Sequence, residues 1–217
     1  MDNFLDYLVK KSDLNNNEYF NYKKTKPVTE ENCAPFTYTK ILEPVPTDYV
    51  VFDFETTGMK PGINSIIEIG AVKVIKGNID GVFNTLIDPE QFIPHYISNI
   101  THITNQMVEG KRTIGDILPE FVSFIGDLPL IAHNARFDMS FLLANAKKQH
   151  IEIKNPVLDT LWLSRKFNKE CAKHNLAYLT EFFNINLKNA HRAYFDALAT
   201  NELYKIIQQK YYNNKNK

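Results

Sequence analysis

The run from Tyr49 to Gly58, YVVFDFETTG, constrains the fold more than any other stretch of the 217 residues. Its apolar, β-branched and aromatic residues, closed by Thr-Gly, predict a buried strand whose side chains alternate between two faces. Phe52 and Phe54 then enter the core on one face. Asp53 and Glu55 share the other face at the strand's exit, where the chain turns at Gly58. Two adjacent carboxylates repel each other strongly unless a cation lies between them, which is the physical argument for a metal.

Two later stretches add acids. PLIAHNARFD followed by MSFLLANAKKQ predicts a strand, a short loop and a helix with its apolar face on Met139, Leu142, Leu143 and Ala146. Asp138 lies where strand hands over to helix, either as an N-cap satisfying the first free amides or as one more ligand. In NAHRAYFDALAT, His191 and Asp196 would stand about 140° apart on a continuous helix and could not meet at one site. His191 is therefore expected on a mobile loop, and Asp196 in a helix buried along Phe195, Ala199, Leu203 and Ile206. The plainer reading of His191 is a surface histidine beside Arg192. Together, Asp53, Glu55, Asp138, Asp196 and His191 match the needs of a two-cation phosphodiesterase. Such a site takes hard oxygen ligands for Mg²⁺ or Mn²⁺ and one group able to accept a proton near neutral pH.

The order of elements predicts an α/β fold. INSIIEIGAVKVIKGNIDGVFNTLIDP reads as an antiparallel pair joined at Gly77-Asn78. LPEFVSFIG reads as a helix opening near Pro119, PLIAHN as a fourth strand and NPVLDT as a short fifth, both parallel to the first, with LWLSRKF and NLAYLTEFF helical. Glu68 in IIEIGAV is expected to be a buried, hydrogen-bonded carboxylate and Asp159 an N-cap.

Asp-x-Glu followed by Thr-Thr-Gly, then His-Asn-x-x-Phe-Asp, then His-x4-Asp, in this order, resembles the DEDDh branch of the DnaQ-like 3′→5′ exonucleases, including the proofreading-type domains of bacterial DNA polymerase III epsilon. The resemblance runs from about Tyr49 to about Tyr204. It implies a ribonuclease H-like fold with a central five-stranded mixed sheet flanked by helices. It also implies a metal-dependent enzyme that removes nucleoside 5′-monophosphates from the 3′ end of DNA in proofreading or repair, using two Mg²⁺ or Mn²⁺ ions. Asp53 would bridge the cations, Glu55 and Asp196 would complete the nucleophile-side site, Asp138 would support the second cation, and His191 would be the general base. Thr56 and Thr57 would lie along the terminal nucleotide. Phe137 and His133 would either contact substrate or pack the corner between strand and helix. One departure stands out: in Ile100-Thr101-His102-Ile103-Thr104, His102 occupies the place where many relatives have glycine, leaving it as a substrate contact or a bystander.

Two other readings remain open: an RNA 3′-end trimming enzyme of the same branch, and a module that binds ends or partners without cutting. The 25 basic and 25 acidic residues exclude a generic polycationic binder, so affinity for single-stranded or frayed 3′ ends has to come from the cations and a local patch. Cys33 and Cys171 lack disulfide or metal spacing, and no stretch approaches the ~20 apolar residues of a membrane span, so a soluble, cytoplasmic protein is expected. Residues 1–47 read as an arm on the core or as a docking segment for a polymerase, 48–210 as the exonuclease domain and 211–217 as a polar tail.

Overall fold

The computed structural model describes residues 45–187 and 189–215. Most of residues 1–47, expected to form an arm or docking segment, therefore lie outside the described residues. Five strands, β1 (Tyr49–Thr56), β2 (Ile66–Ile75), β3 (Asn78–Leu86), β4 (Leu130–Ala132) and β5 (Val157–Asp159), form one mixed sheet in the order β3-β2-β1-β4-β5. β1 and β2 pair antiparallel, as do β2 and β3, while β4 runs parallel to both β1 and β5, as expected. The hairpin between β2 and β3 turns on Lys76 and Gly77, one residue earlier than the sequence suggested. Both residues adopt positive φ, 51° and 78°, as a two-residue turn of this hand requires.

Alternation along β1 divides the core. Val50, Phe52 and Phe54 pack with Phe121 of α3 (Ile114–Ile125) and with Met139, Phe141 and Leu142 of α4 (Arg136–Lys148), which follow α1 (His95–Thr101) and α2 (Asn105–Val108). Tyr49 and Val51 face the opposite way, onto Leu163 of α5 (Thr160–Phe167), Leu179 of α6 (Leu176–Phe182) and Leu203, Tyr204 and Ile207 of α7 (Ala193–Lys215). Asp53 and Glu55 continue this second face to the strand's end.

Some boundaries differ from expectation. α3 opens at Ile114, five residues before Pro119, because the Asp116 carboxylate accepts from the Thr113 amide at 3.1 Å and its hydroxyl at 2.9 Å, a Thr-x-x-Asp start that competes with the proline signal. Ile100 and Thr101 close α1. Ala199 and Leu203 of α7 are buried as expected, together with Ala193, Ala197, Thr200, Tyr204, Ile207 and Tyr211, while Phe195 and Ile206 are only half-buried. α7 runs on to Lys215 through the stretch read as a polar tail, since Tyr211 packs edge-on against Phe167. No helix among the described residues is long and apolar enough to cross a membrane.

Candidate active site

The acids gather at the exit of β1. Asp53, Glu55 and Asp196 each present a carboxylate oxygen within 4.8 Å of the others, and Asp196 is 8% exposed. The strand supplies the first two by its two-residue period, and α7 delivers the third from its first turn, where the Arg192 amide donates to Asp196 Oδ2 at 3.1 Å. Asp138 is 2% exposed and sits three residues into α4. It does not act as the N-cap: that place belongs to Ala135, and Asp138 Oδ1 accepts instead from the Phe54 amide of β1 at 3.0 Å. The capping reading fails because the helix starts before Asp138, leaving its side chain free to cross to β1.

This packing makes the acids hard to ionise together. Burial first, then repulsion from Asp138, Asp196 and Glu55, raises Asp53 well above the ordinary carboxylate range. Glu55 is raised likewise by burial and then by Asp196, with Arg192 as a minor opposing cation. Burial pushes Asp138 up to about 8 and Asp196 up to about 6. Three hard oxygen donors that close together, reluctant to ionise in the absence of a cation, fit a divalent cation.

His191 precedes α7 on a loop, as expected, with its backbone left-handed at φ 64°. The residue is exposed, but partial desolvation of its ring, and after it the charge of His102, lower its pKa below the ordinary histidine value. His102 closes α1 with φ 59°, its amide donating to Ser98 O. Such a backbone position favours glycine, which explains why a histidine is the unusual choice there.

The remaining candidates take separate places. Thr56, the last residue of β1, and Thr57 just after it are buried: the Thr56 hydroxyl donates to Gly58 O at 2.6 Å, and Thr57 Oγ1 accepts from the Ser65 amide at 3.0 Å. Phe137 packs its ring 5.1 Å from Phe141. His133 Nδ1 lies 3.0 Å from Thr160 Oγ1; its buried Nε2 has no hydrogen-bond partner among the described residues, and burial lowers its pKa to about 4. Asp159 caps α5 as expected, accepting from Leu161, and also accepts from the Asn134 amide at 3.0 Å, which ties the β4–α4 loop to β5. Glu68 is buried and hydrogen-bonded as expected. Its partner is Arg192, 124 residues away in sequence.

A five-stranded mixed sheet with these acids clustered at the end of its central strand, as in a metal site, is the arrangement of a ribonuclease H-like nuclease. The exonuclease family model matches residues 50–204, and the chain belongs to that family. The PolC-type DNA polymerase III of Clostridium perfringens is 41% identical over 180 residues, covering 83% of this chain and 12% of that relative; the chain thus spans about an eighth of the curated relatives it matches. Exonuclease X in complex with 5′ overhanging duplex DNA is 28% identical, with a TM-score of 0.62 over 74% of this chain and 91% of that one. The nuclease domain of 3′hExo, a DEDDh family member bound to rAMP, is 15% identical and shares the fold, with a TM-score of 0.64 over 75% of this chain and 92% of that one.

Proposed function

We propose that the protein is a 3′→5′ exonuclease that removes nucleoside 5′-monophosphates one at a time from single-stranded or frayed 3′ ends of DNA, in proofreading or repair, with residues 48–210 as its catalytic domain. The observation that carries this reading is the convergence of Asp53, Glu55 and Asp196 within 4.8 Å, with Asp138 near enough to repel Asp53. Asp53 would be shared by two divalent cations, Mg²⁺ or Mn²⁺, with Glu55 and Asp196 completing one site and Asp138 supporting the other. Bound there, the cations supply charge stabilisation at the phosphate and help to ionise the attacking water. His191, neutral at pH 7 because its pKa is lowered, accepts that water's proton and, being on a loop, can approach once a strand end is in place. The turn from Thr56 to Gly58 would border the terminal nucleotide. Phe137 and His133 would shape the corner behind it, and His102 would flank the base at the mouth of the His191 loop.

DNA is favoured over RNA because the relative named above is a DNA polymerase III and Exonuclease X is seen with DNA. A DNA polymerase is accordingly the proposed partner. Matched 5′-labelled DNA and RNA oligonucleotides and a single-stranded DNA circle, incubated with Mg²⁺ or Mn²⁺, test the reading. DNA should shorten stepwise from its 3′ end, RNA more slowly, while the circle survives and chelator stops the reaction. Prompt cutting of the circle, or activity without a divalent cation, would overturn it.

A further inference from the structure

We propose that Glu68 and Gly70 of β2 form a seat that locks the first turn of α7, and that through this seat they position Asp196 and His191 against Asp53 and Glu55. The proposal rests on the metal-dependent reading above and adds two positioning residues to it.

Glu68 is 1% exposed and lies directly opposite Glu55 in the β1–β2 register. A further carboxylate beside an acid cluster would add repulsion unless something neutralised it. Arg192 offsets part of that repulsion: its Nε donates to Oε1 and Oε2 at 3.2 and 3.1 Å, its second guanidinium nitrogen donates to Oε1 at 2.8 Å, and the Ala193 amide donates to Oε2 at 3.0 Å. Both Glu68 oxygens are thereby engaged, and Glu68 stays outside the group of acids whose oxygens converge. Its negative charge at the start of α7 also suits the helix dipole.

Gly70 completes the seat two residues along, on the same face and opposite Asp53. A Cβ there would lie 2.1 Å from Tyr194 N and 2.2 Å from Ala193 C, closer than any real contact. Only glycine lets the helix backbone rest on the strand. The sheet register that pairs Asp53 with Gly70 and Glu55 with Glu68 therefore also fixes where α7 begins. Asp196 lies three residues beyond Ala193, and the same Arg192 whose side chain grips Glu68 donates its amide to Asp196. His191, with its left-handed backbone, hangs directly from the anchored Arg192.

Glu68→Gln, Gly70→Ala, Arg192→Ala and Arg192→Lys test this with three readouts: Mn²⁺ affinity by calorimetry, kcat and KM separately on a 3′-labelled oligonucleotide, and hydrogen exchange of the Ala193 amide. Glu68→Gln should weaken Mn²⁺ binding and lower kcat by roughly 10–100-fold, with KM little changed, as for residues that orient metal ligands. Gly70→Ala should do the same, and if it fails to fold, the near-isosteric Glu68→Gln carries the test. Arg192→Lys should recover part of what Arg192→Ala loses, since one ammonium replaces only part of the two-pronged contact. Ala193 exchange should quicken in Glu68→Gln and in folded Gly70→Ala. Lower melting temperature with unchanged Mn²⁺ affinity, kcat and Ala193 exchange would reduce the pair to ordinary structural residues and overturn the proposal. If the wild type proves inactive on nucleic acid, the functional reading fails, while Ala193 exchange and Mn²⁺ titration still decide the seat.

Discussion

The two faces of β1 lie on one eight-residue strand and behave oppositely. On one face, Phe52 and Phe54 meet Phe121 with ring centroids 6.1 and 5.8 Å apart, an apolar contact that needs no ion and ignores pH. On the other, Tyr49 and Val51 begin an equally dry core with α7, and then Asp53 and Glu55 replace it with raised, mutually repelling carboxylates. The same alternation that builds the core thus lays down the site, and the site face is stable only to the extent that protons or cations relieve it. The comparison teaches that stability and chemistry are divided here by side-chain parity within one strand.

Alanine at one position of each face separates them most sharply. Asp53→Ala should reduce nuclease rate at saturating metal to below about a hundredth of wild type, because the proposed shared ligand is gone, while thermal unfolding of the metal-free protein at pH 8 should be unimpaired or improved. Phe52→Ala should do the reverse, losing about 3–5 kcal/mol of stability in denaturant titration while whatever remains folded keeps its metal affinity. If Asp53→Ala instead destabilised the metal-free protein, the account of an uncompensated acid face would be broken.

His191→Ala should cost roughly 10²–10⁴-fold in rate without loss of Mn²⁺ binding, and the acidic limb of the pH–rate profile should flatten as the titrating base disappears. An unchanged rate and limb would remove His191 from the proposed mechanism.

The acid face also predicts an unusual pH slope. Asp138 at about 8 and Asp196 at about 6, with Asp53 and Glu55 raised as well, all bind protons more tightly folded than unfolded. Their contribution is fully present below the unfolded values near pH 4 and is lost as pH rises through the folded values. Metal-free protein should therefore melt lower at pH 8 than at pH 5, and Mn²⁺ should flatten the difference. A melting temperature that rises over this range without metal would contradict the raised values.

At the small end, Thr113→Ala should cost about 1 kcal/mol at the start of α3 and leave catalytic rates within about twofold, since it caps a helix on the apolar face.

Local rules make much of this legible in the sequence. The two-residue period of β1 disclosed which residues are core and which are acids, and the angle between positions 191 and 196 placed His191 off the helix. Asp159 and Glu68 were read correctly because a helix start and a buried strand each limit what a carboxylate can do. Where two local signals competed, the reading slipped: Pro119 masked the capping at Thr113 and Asp116, and the helix start of α4 left Asp138 free to bond Phe54 rather than cap. What the sequence could not show is long-range. Arg192 looks like a surface residue until β2 brings Glu68 to it across 124 positions, and Gly70 looks like any strand glycine until Ala193 and Tyr194 rest on it.

The most direct test of the acid face is calorimetric titration of Mn²⁺ into wild type and Asp53→Ala at pH 7 in two buffers of different ionisation enthalpy. Carboxylates with pKa values raised toward or above neutrality must shed protons when a cation binds, so wild type should bind Mn²⁺ with net proton release and Asp53→Ala should bind far more weakly. Equal binding by the two proteins, or binding without proton release, would contradict the claim that these acids await a cation.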